Sequence, residues 1–208
     1  MTIAIIDYGS GNLHSTLKSF EKMGNEVGRK VILTHNPDEL ESASHIVLPG
    51  VGAFADCMNG LQKSGMLEAL EKQVLKNRKP FLGICVGMQL LAERAYEHGE
   101  HEGLGWIKGS VNRIDLSDKS LKIPHMGWND LQIKQQHSLF NGINNGDDVY
   151  FVHSYSMTCE NENNVLATVD YGREIVAAIV NDNIMGTQFH PEKSQKFGLQ
   201  IIKNFLEI

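Results

Sequence analysis

The segment Lys79-Pro-Phe-Leu-Gly-Ile-Cys-Val-Gly-Met-Gln89 joins a strand pattern to a helix pattern within a few residues. The continuous apolar run from Phe81 to Ile84 predicts a buried strand. The stretch from Met88 to Arg94 is rich in strong helix formers and predicts a helix directly after it. The sequence therefore predicts a sharp strand-to-helix turn in this segment.

Cys85 lies at the centre of that turn, with Gly83 and Gly87 two residues away on either side. This is the Gly-x-nucleophile-x-Gly elbow, with sulfur in place of the more usual hydroxyl. Glycine tolerates the backbone conformation of such a turn, and the free N–H groups of the following helix favour a thiolate. The N–H of Val86 is placed to donate to an oxyanion. The alternative is a small buried residue at a strand end, but the complete elbow pattern favours a nucleophile.

Composition limits the class of protein. The chain has 208 residues, 41% hydrophobic and 21% charged, and a formal net charge of −6. These values predict a single globular domain over residues 1–208 and argue against nucleic-acid binding. The N-terminal residues read as a first strand, without a signal peptide or membrane span. Three cysteines without metal-type spacing indicate a reducing, cytoplasmic setting with no disulfide framework and no zinc cluster. No cofactor is expected.

The order of patterns along the chain predicts the fold class. The first half alternates strands with helices, which is typical of a parallel sheet, and the second half is rich in short strands. We therefore expect an α/β fold with an open, mostly parallel twisted sheet, flanking helices and a β-rich second half, ending in a helix capped by Ser194. Predicted strands are 3–6, 31–33, 45–48, 81–84, 110–116, 121–123, 149–155, 165–169, 175–180 and 184–189, and predicted helices include 13–23 and 66–76.

A second glycine-rich loop, Pro49-Gly-Val-Gly52, follows the predicted strand 45–48. In a doubly wound sheet it opens on the same edge as the elbow. We expect amides of Gly50, Val51 and Gly52 to supply the second half of an oxyanion hole, with a simple tight turn as the alternative. The loop 7–12 also contains glycines, but the third glycine of a dinucleotide fingerprint is replaced by His14, which excludes that motif.

A nucleophilic cysteine needs a base close to it in space. The segment Gly186-Thr-Gln-Phe-His-Pro-Glu192 places His190 at the end of a predicted strand, so it can reach the sheet edge where Cys85 lies. Glu192 follows two residues later and can hold the imidazole in one tautomer. A strand-end histidine beside a surface glutamate is the alternative. The combination of Cys85, His190 and Glu192 favours a catalytic triad.

The elbow together with His190-Pro-Glu192 resembles the class-I glutamine amidotransferases, which hydrolyse glutamine to glutamate and ammonia with a Cys-His-Glu triad. Further blocks resemble the glutaminase subunits of that family that supply ammonia to a cyclase in histidine biosynthesis. These blocks extend over nearly the whole chain, at residues 6–13, 48–54, 122–129, 150–155 and 188–194.

The resemblance implies roles for further residues. By this resemblance, Gln89 and Glu93 help to bind glutamine, and we expect them one turn apart on the elbow helix. The segment His153-Ser154-Tyr155 is also expected to bind glutamine. The family's partner is a cyclase subunit with a (βα)₈ barrel, which forms a heterodimer over the active-site face and receives ammonia through a tunnel. The implied interface residues are Asn12, His125, Met126, Trp128, Asn129 and Lys193.

Three alternatives remain open at this point. A paralogous glutaminase subunit that feeds another acceptor, such as a polysaccharide amidotransferase, would have the same catalytic residues. An inactive regulatory subunit could keep the fold, although the intact triad pattern argues against it. A cysteine peptidase or esterase could use a similar elbow, and comparing glutamate release with peptide and ester hydrolysis would separate it.

Overall fold

An eight-stranded mixed sheet forms the centre of the computed structural model, which describes residues 1–118 and 120–208. The spatial order of its strands is β2-β1-β3-β4-β14-β13-β12-β9. In chain order they are β1 (Thr2–Ile6), β2 (Lys30–Thr34), β3 (His45–Gly50), β4 (Phe81–Cys85), β9 (Gln132–Ile133), β12 (Val165–Asp170), β13 (Glu174–Asn181) and β14 (Ile184–Thr187).

The five strands β2, β1, β3, β4 and β14 run parallel, and β13, β12 and β9 continue the sheet with antiparallel pairings. β13 and β14 form a tight hairpin, because Asn181 pairs with Ile184 across a two-residue turn. The remaining strands form two smaller sheets, in the orders β11-β7-β5-β6 and β10-β8. These are β5 (Arg94–Ala95), β6 (His101–Glu102), β7 (Gly109–Arg113), β8 (His125–Asp130), β10 (Asp148–His153) and β11 (Tyr155–Cys159).

Helices flank the large sheet. The first and last of them pack together through Phe20 and Phe205, whose ring centroids are 6.4 Å apart. A π-helical turn at Lys72–Lys76 extends the helix that begins at Met66, and 3₁₀ turns lie at Ser138–Phe140, Glu162–Asn164 and Pro191–Lys193. The α-helices are α1 (Leu13–Glu26), α2 (Glu39–Ser42), α3 (Phe54–Lys63), α4 (Met66–Glu71), α5 (Val86–Gln89) and α6 (Gln195–Glu207).

The central strands explain why the sequence forms this sheet. Every residue of β3 and of β4 is buried, as expected for parallel strands covered on both faces, where apolar runs replace an alternating pattern. The carboxyl ends of β3, β4 and β14 lie side by side, since Gly50 pairs with Cys85 and Thr187 pairs with Ile84. The predicted fold class is confirmed, and its topology brings the ends of three strands, each followed by a predicted functional segment, to one edge.

The predicted elbow helix is wrong in length. The sequence predicts helix from Met88 to Arg94, but α5 ends at Gln89 and the chain bends into β5. The helix stops because the carbonyl groups that would accept its next hydrogen bonds accept N–H groups from a distant loop instead. The Leu90 carbonyl accepts the Leu104 N–H at 2.8 Å, and the Ala92 carbonyl accepts the Gly105 N–H at 3.1 Å. These bonds replace the next helical turn.

The predicted strand 121–123 is also wrong, because none of these residues is in a strand and the next strand begins only at His125. Pro124 stands between them, and a proline cannot donate to a strand ladder. The Lys122 carbonyl instead accepts the Tyr171 hydroxyl at 2.8 Å. Of the helices in the described part of the chain, none has both the length and the apolar character needed to cross a membrane.

We expect Gly87→Ala to unfold the elbow. A Cβ atom at Gly87 would lie 1.9 Å from the Leu48 carbonyl oxygen, a backbone contact that a side-chain rotation cannot relieve. The free energy of unfolding, measured by urea denaturation, should fall by at least about 3 kcal/mol.

Gly146→Ala is the matched control for this prediction. Gly146 has a φ of +91°, but a Cβ atom added there would have no other atom within 4 Å, so this change tests backbone strain without a clash. It should cost only about 1 kcal/mol. Equal losses in the two variants would show that the close approach of Gly87 to β3 does not control stability.

Candidate active site

A cavity of about 470 Å³ opens where the carboxyl ends of β4 and β14 meet. Cys85 and His190 both line it, although they are far apart in the sequence. This is the edge at which open parallel sheets commonly bind ligands. The topology therefore brings the predicted nucleophile and the predicted base into one pocket.

Cys85 ends β4 and precedes α5, with backbone angles φ +55° and ψ −111°. Few residues other than glycine adopt a positive φ, so the turn holds the cysteine backbone under strain. Gly50 on β3 lies directly opposite in register, and a Cβ atom there would meet the Gly87 backbone nitrogen at 2.8 Å. The elbow is thus wedged against β3 by backbone contacts that exclude larger residues.

His190 and Glu192 form a buried pair beside the elbow. Nδ1 of His190 lies 2.9 Å from Oε1 of Glu192, and both side chains are 2% exposed. Pro191 between them begins a 3₁₀ turn, and the Ser194 hydroxyl donates to the His190 carbonyl at 2.6 Å. Ser194 does stand at the N-cap position of α6, as predicted, but its hydroxyl makes no capping hydrogen bond to that helix. The hydroxyl instead fixes the backbone of His190, and the imidazole meets the carboxylate in one orientation.

The electrostatic setting of His190 favours its protonated form. Burial alone lowers the pKa of the imidazole, but the neighbouring Cys85 sulfur and the Glu192 carboxylate outweigh burial and raise the pKa to about 10. Nε2 of His190 is buried and has no hydrogen-bond partner among the described residues. A protonated base with an unpartnered nitrogen can deliver a proton to a leaving group in the cavity.

Three of the four predicted oxyanion residues, Val51, Gly52 and Val86, line the cavity, while Gly50 is buried behind the elbow. Val86 is the first residue of α5. The Val51 carbonyl accepts the Ser10 hydroxyl at 2.8 Å, which attaches this loop to the loop after β1. The second glycine-rich loop therefore lies beside Cys85, as predicted from its place after β3.

The predicted glutamine-binding residues divide into two groups. Gln89, His153, Ser154 and Tyr155 line the cavity, whereas Glu93 does not. Because α5 ends before Glu93, this side chain is exposed and accepts the Gly109 N–H at 3.3 Å, beside a different surface depression. The expectation that Glu93 faces the glutamine site is corrected by this placement.

Glu97 is a cavity residue that the sequence did not reveal. It belongs to a polar, glycine-rich loop with no recognisable pattern, yet its carboxylate reaches the cavity and accepts the Phe54 N–H at 2.7 Å, at the start of α3. Lys193 is the cationic residue that lines the same cavity. No local sequence signal could have placed Glu97 there, because the placement depends on the truncated elbow helix.

The predicted interface residues also occupy different environments. Met126 and Trp128 on β8 are 61% and 44% exposed, and Asn12 and Lys193 line the cavity. Asn129 is half-buried. The placement of His125 at the interface is corrected. Its side chain is buried, so it does not belong to the exposed part of β8.

His125 is held in a chain of oriented hydrogen bonds. Nδ1 of His153 lies 2.8 Å from the Tyr155 carbonyl, which can only accept, so Nδ1 carries the proton. Nε2 of His153 then accepts from Nδ1 of His125 at 2.9 Å, and Nε2 of His125 faces the Asn129 side-chain amide at 3.2 Å. Both rings must be neutral for this chain to exist, and burial lowers both pKa values to about 4.

Within residues 1–118 and 120–208, no group of three or more His, Cys, Asp or Glu side chains is arranged to hold a metal ion. Cys85 and His190 line the cavity, and Glu192 is paired with His190 behind it. Together they provide a nucleophile, a proton donor and acceptor, and a carboxylate that orients the imidazole.

The family model and the similar relatives all point to the glutamine amidotransferases. The family model for class-I glutamine amidotransferases matches residues 4–208. A relative from Brucella abortus (strain 2308), named imidazole glycerol phosphate synthase subunit HisH, is 54% identical and covers 100% of this chain and 99% of its own length. A relative of the same name from Bradyrhizobium diazoefficiens is 52% identical, with 99% and 98% coverage.

Solved structures support the fold. A crystal structure of a glutamine amidotransferase superposes with a TM-score of 0.74 at 17% identity, covering 99% of this chain and 97% of that one. The structure of PurLQS from Thermotoga maritima gives a TM-score of 0.72 at 19% identity with the same coverage. At such low identity these likenesses show the fold alone.

We expect Glu192→Gln to lower the pKa of His190 by at least about one unit, because it removes a buried negative charge 2.9 Å from Nδ1. The measurement is the pH titration of the His190 ring nitrogens by NMR. Glu71→Gln, on an exposed helix position, is the control and should leave the titration unchanged. An unaltered His190 midpoint in Glu192→Gln would contradict an electrostatic role for this carboxylate.

We expect acid to destabilise the chain through His125 and His153. Their folded-state pKa values lie near 4, below the ordinary value of 6.5. As pH falls below about 6.5 the unfolded chain binds protons first, so stability is lost between about pH 6.5 and 4 and is fully present above this range.

The free energy of unfolding, measured by urea denaturation across that pH range, provides the test. His125→Gln should give a flatter profile than the wild type, whereas replacing the exposed His14 by Gln should preserve the wild-type slope. A wild-type profile without a slope over this acidic range would show that these rings are not held neutral.

Proposed function

The chain belongs to the class-I glutamine amidotransferase family, and from that premise we propose that it is the glutaminase subunit of an imidazole glycerol phosphate synthase. It hydrolyses glutamine to glutamate and ammonia and delivers the ammonia for histidine biosynthesis in the cytoplasm. The observation that carries the proposal is the strained elbow, which presents Cys85 to the same cavity as the buried His190–Glu192 pair.

The first half of the reaction forms a thioester. The Cys85 thiolate attacks the side-chain amide carbon of glutamine, and the negative charge moves from sulfur to the carbonyl oxygen. The Val86 N–H and an amide of the loop 50–52 stabilise this oxyanion. His190, held by Glu192, donates its proton to the amide nitrogen, the C–N bond breaks and ammonia leaves. The product is a glutamyl thioester on Cys85.

The second half restores the enzyme. His190, now neutral, accepts a proton from water as the water oxygen attacks the thioester carbon. The C–S bond breaks, glutamate leaves and Cys85 returns to the thiolate, with the proton on His190. The Glu192 carboxylate stabilises the imidazolium at both stages without taking the proton itself.

The cavity offers groups that fit glutamine. The Glu97 carboxylate is suited to the α-ammonium group, and polar groups of Gln89 and of the segment 153–155 line the remaining wall. We propose that these residues orient the substrate so that its amide lies over Cys85. Glu93 has no part in this arrangement.

The partner in this proposal is a cyclase subunit with a (βα)₈ barrel, which uses the ammonia to make imidazole glycerol phosphate and AICAR. The exposed Met126 and Trp128 would form the apolar part of the docking surface, with Asn12 and Lys193 facing the partner from the cavity. A paralogous role with another acceptor has identical catalytic residues. The names of the similar relatives favour the histidine-biosynthesis cyclase.

We expect Cys85→Ala to abolish glutamate release from glutamine while preserving cyclase activity on added ammonium salt in the complex. The alanine removes the nucleophile but leaves the docking surface and the fold unchanged. The measurements are glutamate release and imidazole glycerol phosphate formation by the co-purified complex.

Cys159→Ala is the control, since Cys159 lies on β11 outside the cavity, and it should retain both activities. Glutamate release by Cys85→Ala would overturn the assigned nucleophile. Loss of the ammonium-dependent reaction would show that Cys85 serves folding or docking instead.

A further inference from the structure

We propose that Gln188 is a further member of the active site, which holds the Cys85 sulfur by a hydrogen bond and favours its ionised form. This inference rests on the proposed function, because it assigns a role at the same nucleophile. Gln188 has a fully buried side chain directly before the Phe189-His190 segment. Its Nε2 lies 3.7 Å from Sγ of Cys85, within the range of hydrogen bonds to sulfur.

The direction of this hydrogen bond is fixed by a neighbouring group that cannot change its role. The Tyr155 backbone carbonyl can only accept, and Nε2 of Gln89 donates to it at 3.0 Å. The same Gln89 amide nitrogen donates to Oε1 of Gln188 at 2.9 Å. The Gln188 oxygen must therefore face Gln89, and its NH₂ group must face Cys85. A flipped amide would place two NH₂ groups against each other.

The hydrogen bond from Gln188 matters because the Cys85 sulfur is buried. A sulfur anion in a low-dielectric site is destabilised unless donors or positive charges surround it. The titratable groups that face Cys85 are His190, Tyr8 and Cys57. The same cavity is also lined by Glu97, His153, Tyr155 and Lys193. Burial raises the pKa of both the Tyr8 hydroxyl and the Cys57 thiol, so both are uncharged at neutral pH.

The His190 imidazolium and the Gln188 amide consequently share the stabilisation of the thiolate. They differ in when they act. His190 gives up its proton during the reaction, while the Gln188 dipole remains in place throughout and restrains the sulfur between attack and release. Gln188 is thus the permanent partner of the sulfur, and His190 is the reactive one.

The test measures the reactivity of Cys85 itself and needs no glutamine. Iodoacetamide alkylates thiolates, and the mass of the Cys85 peptide reports its alkylation separately from Cys57 and Cys159. The rate is measured as a function of pH for the wild type, Gln188→Met and Gln188→Glu. Methionine keeps the size of glutamine without the donor, and glutamate replaces the donor by an acceptor of negative charge.

We expect the midpoint of the rate profile to rise by about one pH unit in Gln188→Met, with about tenfold slower alkylation at neutral pH. Gln188→Glu should shift the midpoint further in the same direction. A packing defect would not produce this order, because both replacements have nearly the volume of glutamine. The order is read from both variants, and if only one of them retains the wild-type melting temperature, the direction of its shift decides the inference.

Gln73→Met is the matched control, since Gln73 is also buried but accepts a hydrogen bond from Asn77 at 2.9 Å, away from the cavity. Its alkylation profile should coincide with the wild-type profile. Profiles of the Gln188 variants that coincide with the wild type, or that shift to lower pH, would overturn the inference. Absence of glutaminase activity in the wild-type complex would overturn the proposed function while leaving the alkylation result intact.

Discussion

The close contact between the elbow and β3 is the constraint on which this site depends. A Cβ atom on Gly87 would lie 1.9 Å from the Leu48 carbonyl oxygen, and one on Gly83 would lie 2.5 Å from the Gly87 oxygen. Backbone therefore packs directly on backbone where β3, β4 and α5 meet. This contact holds Cys85 at a φ of +55° and turns its side chain towards the cavity. The strain at Cys85 is maintained by fully buried strands of the sheet.

Strand order then supplies the remaining chemistry. Because β14 pairs with β4 in parallel, the segment after β14 emerges next to Cys85 and brings His190 and Glu192 with it. Because β3 pairs with β4 on the other side, the loop 50–52 emerges opposite them. The proposed nucleophile, base and oxyanion loop thus come from three adjacent strand ends, and none of them needs a long or flexible connection.

The sequence predicted those parts of the site that are encoded locally. The elbow, the loop 50–52 and the His190-Pro-Glu192 segment each follow an apolar strand pattern, and the parallel topology places such segments at one edge. Glu93 was misplaced because propensity favoured a longer α5, whereas the carbonyls of Leu90 and Ala92 bond to residues 104 and 105. Glu97 and Gln188 could not be predicted, because their positions depend on contacts across 43 and 103 residues of sequence.

The polar groups behind Cys85 form one continuous path from β8 to the sulfur. Asn129 bonds to His125, His125 to His153, and His153 to the Tyr155 carbonyl. That carbonyl also accepts from Gln89, which bonds to Gln188 and through it to Cys85. Each bond fixes the donor direction of the next, because a backbone carbonyl in the middle can only accept. One oriented network therefore positions both the strand that carries the exposed Met126 and Trp128 and the sulfur of the proposed chemistry. Its two imidazoles and its two glutamine side chains are buried, so a reversed amide or a charged imidazole within it would be costly.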